Sequence, residues 1–285
     1  MKRRVPGISG ACANRDKSSA FRGALAAFGV ACAGCGGGLP LLHPARTLPA
    51  GEVRAGAGFS GNIATGSLAS SLNAARDEAA VGGPSSDATF ARGALVAASV
   101  ATGLAPFVGA RVGLGWASEA GLAYTGRAIR ADARRSFDLT PHWALSAGVG
   151  GSAALYGHQD GGGLPDVDLA AVHGWGADVP VLVGYESDGQ LYMAWLGARA
   201  GWEHVDIGNL SSEPGGQPAG GKPIALSATR FWGGGLLGLA VGFRHVHVAM
   251  ELDASYAHVA GDFAQTHASV QGVTLAPATA LWWHF

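Results

Sequence analysis

The chain of 285 residues has few charges, few cysteines and no long apolar run, and each shortage excludes a class of protein. Only 14% of the residues are charged and the net charge is -1, so no basic stripe is present to neutralise nucleic-acid phosphates. Cys12, Cys32 and Cys35 all lie in the first 35 residues, so the rest of the chain cannot form a disulfide within itself. The longest apolar run, residues 24–35, is too short for a transmembrane helix.

What the sequence does have is glycine and a repeated strand pattern. It contains 47 Gly and has a mean hydropathy of +0.21. From residue 51 onward, short segments with apolar residues at alternate positions are separated by turn residues, as in barrel strands. Only a closed barrel pairs every strand N–H and C=O inside lipid. Residues 52–285 therefore predict an all-β, antiparallel, transmembrane up-and-down β-barrel.

About ten strands are expected in this barrel. They are predicted near residues 52–61, 89–101, 105–115, 119–137, 143–156, 167–185, 190–207, 224–241, 244–259 and 267–285. Counts of eight or twelve are the alternatives, because residues 89–101 could form a helix and residues 119–137 could contain a hairpin at Thr125 and Gly126. With both chain ends periplasmic, the longer connections should lie outside. The short connection at residues 116–118 is the exception, since it would also lie outside.

The last strand carries the most specific pattern. Leu281, Trp283 and Phe285 occupy alternate positions, and the chain stops on the aromatic Phe285. The pattern resembles the closing strand of bacterial outer-membrane β-barrel proteins of the porin-like or small-barrel class, in which a C-terminal Phe belongs to the signal read by the barrel-assembly machinery. The resemblance implies a Gram-negative outer membrane, with lipid and lipopolysaccharide as neighbours. A soluble β-sandwich would show the same alternation and is the alternative.

The N-terminal region predicts export. Lys17 and Arg22 precede the apolar residues 24–31, as in a secretory signal peptide. The sequence from Cys32 to Cys35 resembles a bacterial lipobox, which implies a signal peptide over residues 1–35 and acylation of Cys35. Residues 36–51, rich in Gly and Pro, are then expected to be a flexible periplasmic tether. A lipobox frame ending at Cys32, and an ordinary signal peptide with unmodified Cys35, are the alternatives.

Polar residues at inward positions of the strands predict a charged lumen. These residues are Arg130, Asp132, Arg134, Arg199, Glu203, Arg230, His245, His247, Glu251 and Asp253. Such side chains can neutralise one another as a structural network, and they can line a narrow polar conduction path; the two interpretations are not exclusive. His245 and His247 have a spacing that suits metal ligation, yet hydrogen bonding to the acidic residues explains them more simply. We therefore expect no metal and no cofactor.

One amphipathic helix is predicted in the first long connection, residues 62–88. Leu68, Leu72, Ala75 and Ala79 share one face of it. A lone helix of this length is marginal in water, so it should pack against the barrel, either in the mouth as a partial plug or on the rim.

Three functions remain open at this level. The first is a passive channel or uptake porin for small solutes. The second is a non-conducting structural or surface-interaction barrel with a filled lumen. The third is a lipid-modifying enzyme that uses polar residues at the outer rim, namely His258, Asp262, His267 and Ser269. Because no local motif of a barrel lipase or protease is present, the protein is not expected to be an enzyme. We expect a monomer without nucleic acid.

Overall fold

Ten antiparallel strands form a closed barrel in the computed structural model, which describes residues 38–81, 88–155, 164, 172–207 and 225–285. The strands are β1 (Val53–Ala64), β2 (Gly103–Gly115), β3 (Ser118–Thr125), β4 (Ala128–Asp138), β5 (Trp143–Ala154), β6 (Val172–Glu186), β7 (Tyr192–Ile207), β8 (Leu226–Phe243), β9 (Val246–Phe263) and β10 (Thr266–His284). Each strand pairs with its neighbours in sequence, and β1 pairs with β10. The predicted up-and-down barrel of about ten strands is confirmed.

The strand alternation decides which side chains face the lumen. Along β9, His247, Glu251 and Asp253 are buried inside the barrel, whereas Met250 and Leu252 are exposed on its outer surface. The same period of two recurs along the other strands because successive side chains point to opposite faces of a sheet. The inward face therefore carries the buried charges, together with apolar clusters, and the outer surface is apolar.

The two ends of the barrel differ in their connections. Tight turns at residues 116–117, 139–142, 187–191 and 244–245 lie at the end where β1 begins, which we call the short-turn end. The pairs β1 and β2, β3 and β4, β5 and β6, β7 and β8, and β9 and β10 are joined at the opposite end, which we call the loop end. The turn at residues 116–118 was predicted on the wrong side.

Two errors of strand assignment explain why this turn was placed at the wrong end of the barrel. One error adds a strand and the other removes one, so the predicted number of ten strands is still correct. Residues 89–101 were predicted as a strand but belong to helix α2 (Ala88–Val100), which follows helix α1 (Gly66–Ala80). Residues 119–137 were predicted as one strand but form β3 and β4, joined at residues 126–127. The segment of α2 is apolar on nearly all sides, which suits a fully buried helix and gives no period that separates it from a strand.

The helix pair closes the loop end of the barrel. Leu68 and Leu72 of α1 and Phe90 of α2 are buried in one cluster with inward residues of the strands, including Val205 and Phe263. The first helix was predicted to lie either in the barrel mouth or on the rim, and in the structure it lies in the mouth. In the described ranges no helix is long and apolar enough to cross a membrane.

Residues 38–50 enter the lumen from the short-turn end. Leu41, Leu42 and Ala45 are 3%, 2% and 0% exposed, and Gly38 donates its N–H to the carbonyl of Gly61, near the loop end of β1. The prediction of a flexible tether is therefore wrong for residues 38–50, which we call the N-terminal plug. The leucines bury apolar surface that a free tether would leave in water. The predicted signal peptide and Cys35 lie outside the described residues.

Candidate functional site in the filled lumen

A continuous ladder of ion pairs covers the lumen wall from β2 to β7. In order along the ladder its members are Arg134, Glu119, Arg111, Asp132, Arg130, Asp178 and Arg199. Every carboxylate lies between two guanidinium groups, and the exposed fraction of each side chain is at most 11%. Buried charges that lose water need such pairing, so the ladder satisfies the charge that the strand pattern turns inward.

The geometry of the ladder uses the planar fork of arginine. Arg111 donates from Nη2 to the two carboxylate oxygens of Asp132 at 2.8 and 2.9 Å. Arg130 holds both oxygens of Asp178, with two N–O distances of 2.9 Å, and Arg199 adds a third contact at 2.9 Å. Two-point contacts of this kind fix orientation as well as charge. These contacts thus fix the orientation of the ladder side chains along the wall.

Glu251, on β9, binds the N-terminal plug directly. Its carboxylate accepts hydrogen bonds from the backbone N–H groups of Leu41 at 2.7 Å and Leu42 at 2.9 Å. The indole N–H of Trp195 donates to the same carboxylate at 2.9 Å. All three donors are neutral, so this buried carboxylate is satisfied by hydrogen bonds in place of a direct ion pair. Its contacts hold Leu41 and Leu42 of the plug against the wall.

The ladder binds the part of the plug that lies nearer the short-turn end. Arg134 donates to the carbonyl oxygens of Ala45 and Arg46, both at 3.2 Å, and also to that of Pro44. Glu119 accepts a hydrogen bond from the backbone N–H of Leu48 at 2.9 Å. Charged side chains of the wall therefore replace the water that the plug backbone would otherwise need.

Inward glycines make room for these contacts. A Cβ atom at Gly113 would collide with the carbonyl oxygen of Pro49 in the plug, and one at Gly150 would collide with the guanidinium of Arg130. At Gly238 it would overlap the Trp195 ring. A part of the high glycine content is thus explained by what fills the lumen, beyond strand packing.

Nine of the ten predicted lumen residues face the lumen, and they fall into four groups. Arg130, Asp132, Arg134 and Arg199 belong to the ladder, and Glu251 holds the plug. Arg230 and Glu203 form a separate pair at 3.2 Å. Asp253 is buried, and so is His247, whose Nε2 lies 2.8 Å from the carbonyl oxygen of Gln190. His245 was wrongly assigned to the lumen, because it is exposed in the turn between β8 and β9; the two histidines therefore do not share a face.

Sequence reasoning missed several residues of this site, among them Arg111, Glu119 and Asp178. Strand alternation contained the signal for Arg111, since it shares a strand face with Gly109 and Gly113. Two tryptophans, Trp195 and Trp232, also face inward. Trp195 bonds Glu251, and the ring of Trp232 lies 5.0 Å from the guanidinium of Arg199 and 5.8 Å from that of Arg230.

The outer surface carries two rows of aromatic side chains. One row lies near the short-turn end and consists of Trp143, Tyr185, Tyr192, Phe243 and Trp283, and the other lies toward the loop end and consists of Trp175, Trp202, Phe231 and Tyr256. On β6, Trp175 and Tyr185 are separated by ten positions. At about 3.3 Å per residue and a tilt of about 40°, the rows are about 25 Å apart. Apolar residues such as Val179 and Val181 are exposed between them.

The rim residues considered for an enzyme come only partly together. His267 Nδ1 lies 2.9 Å from a carboxylate oxygen of Asp262, and both side chains are exposed. Ser269 is exposed on the same strand face, but within the part of the chain that the structure describes it makes no hydrogen bond to His267. The imidazole is therefore oriented without a bonded nucleophile.

No protein-family model matches this sequence, and no curated protein sequence matches it. Among solved structures, Neisserial surface protein A is 12% identical, with 82% of this chain and 96% of that chain covered and a TM-score of 0.26. A variant of OccD1 (OprD) is 10% identical, with 64% and 60% covered and a TM-score of 0.20. At these scores the similarity is no evidence for the fold. The closed barrel is established by the strand pairing of this chain.

Proposed function

We propose that this protein is an integral β-barrel of the bacterial outer membrane that does not conduct solutes in its folded state. The exposed apolar band of about 25 Å between two aromatic rows supports the location, since lipid-facing barrel surfaces have this height and these girdles. The longer connections then face outward, where they meet lipopolysaccharide. Its role is that of a structural or surface-interaction barrel.

The filled lumen is the observation that carries the non-conducting state. The N-terminal plug lies between the charged walls, and helices α1 and α2 close the loop end. A ten-stranded barrel has little more interior space than its own side chains fill, so two such elements leave no path for a passive channel. The filled lumen therefore favours the second of the sequence-based hypotheses over the porin.

Conductance in planar bilayers tests the closure. We expect the folded wild-type protein to insert and remain silent. A variant lacking residues 38–50 and a variant lacking residues 66–100 should also be silent, because one element still closes each. Asn62 pairs with Gly103, so a short Asn-Gly turn can rejoin β1 and β2 in the second variant.

The double deletion is the informative case. With both closing elements removed, we expect discrete conductance steps from a polar lumen. Heat-modifiable migration on gels serves as the control that each variant is folded. Steps from the folded wild-type protein would contradict the proposal and support the porin.

Assembly is proposed to depend on Phe285. Its side chain is exposed on the outer surface, and its backbone closes the barrel, because Phe285 and Val53 exchange two hydrogen bonds at 2.9 and 3.3 Å. Deletion of Phe285 removes both bonds and the aromatic terminus, so we expect most of the protein to remain unfolded in the periplasm. Phe285→Trp should assemble normally. Unchanged outer-membrane yield of the deletion variant would refute this role.

A further inference from the structure

A cavity lined by both polar and apolar residues separates the two elements that close the lumen. Its volume is about 90 Å³, and it lies between Gly38 at the end of the N-terminal plug and Ser99 at the end of α2. Arg127, Trp232 and Asp253 belong to its lining. Since one water takes up about 30 Å³ of liquid, the space suits about three waters or one solute of similar size.

Three buried polar atoms of residues that line this cavity have no hydrogen-bond partner within the part of the chain that the structure describes. They are Nε of Arg230, Nε1 of Trp232 and Oδ1 of Asp253. Arg230 and Asp253 are 8% and 7% exposed. Buried polar side-chain atoms are nearly always hydrogen-bonded, so two donors and one acceptor around a single cavity point to an occupant that carries both an acceptor and a donor.

The residues around the cavity also include charges of both signs. Arg199 is paired with Asp178, and Arg230 with Glu203. In the described part of the chain, Arg127 donates only to the carbonyl oxygen of Ala98, and Asp253 forms no ion pair within 4.0 Å. The cavity thus retains one cation and one anion that no direct ion pair neutralises.

We propose that this cavity binds a small zwitterion with the dimensions of glycine or alanine. The carboxylate accepts hydrogen bonds from Arg230 and Trp232, and the ammonium group donates to Asp253. The guanidinium groups of Arg199 and Arg230 lie 5.0 and 5.8 Å from the centre of the Trp232 ring, and the indole N–H of Trp232 is the donor that remains for the ligand. The inference concerns occupancy of this cavity and does not depend on whether the lumen conducts.

Equilibrium dialysis of the folded full-length protein with radiolabelled glycine tests this site, after long incubation to allow slow entry. We expect saturable binding of one glycine per barrel. Trp232→Phe removes one donor and should weaken binding about tenfold, as the loss of a hydrogen bond to a charged group does. Asp253→Asn removes the carboxylate that would bind the ammonium group and should weaken binding more. Asp262→Asn, outside the lumen, is the matched control and should bind as the wild type does.

Four results would overturn the proposal. They are the absence of saturable binding to folded wild-type protein, equal binding by the wild type and both lumen variants, equal competition by acetate alone, and occupancy of the cavity by water or by the chain's own residues in an experimental structure. Heat-modifiable migration establishes folding of each variant. If Asp253→Asn does not fold, Trp232→Phe decides the outcome.

Discussion

Glu119→Gln is expected to lower the free energy of unfolding by about 3–5 kcal/mol, the usual cost of breaking a buried ion pair from one side. Glu119 is fully buried between Arg111 and Arg134, and it also accepts the backbone N–H of Leu48. The amide keeps the shape of the side chain but leaves two buried guanidinium groups without their shared anion. Urea unfolding of the protein in lipid vesicles measures the difference.

Glu52→Gln provides the control for this prediction. Glu52 is exposed at the short-turn end, one residue before β1, so the same change of charge should alter stability by less than about 0.5 kcal/mol. A loss below about 1 kcal/mol for Glu119→Gln would mean that water reaches the ladder and screens its charges.

Glu251→Ala is expected to release the segment of the N-terminal plug that contains Leu41 and Leu42. The backbone N–H groups of Leu41 and Leu42 and the indole of Trp195 would lose their common acceptor. Hydrogen bonds to a charged group contribute about 1.5–3 kcal/mol each. Allowing for partial compensation, a loss of about 4 kcal/mol raises the population of the opened segment roughly 10³-fold. Amide hydrogen exchange at Leu41 and Leu42 should accelerate by that factor.

Two comparisons make the exchange experiment specific. Glu251→Gln keeps an oxygen acceptor, so it should accelerate exchange far less than Glu251→Ala does. Amides in the pairing of β4 with β5 lie on another part of the barrel and should keep their protection in both variants. If Leu41 and Leu42 exchange at the wild-type rate in Glu251→Ala, the carboxylate does not hold the plug.

The alternation of side chains was sufficient to predict the barrel and many of its inward charges. Arg130, Asp132 and Arg134 share one face of β4, and Glu251 and Asp253 share one face of β9, as the period of two requires. Local turn chemistry was less decisive. The hairpin at residues 126–127 and the helix at residues 88–100 were recognised only as alternatives, because an Ala-rich apolar segment suits a buried helix and a buried strand alike.

By itself, the sequence determined that this chain forms a barrel, which faces of its strands are polar, and that the last strand presents Leu281, Trp283 and Phe285 outward. Only the tertiary structure decided what fills the lumen. The N-terminal plug has neither a helical period nor a strand period, and its partners are remote, since Leu48 binds Glu119 71 positions away and Leu41 binds Glu251 210 positions away. A strand pattern specifies that a face is polar, but the hydrogen-bond partners of that face are fixed only when the closed barrel brings distant residues together.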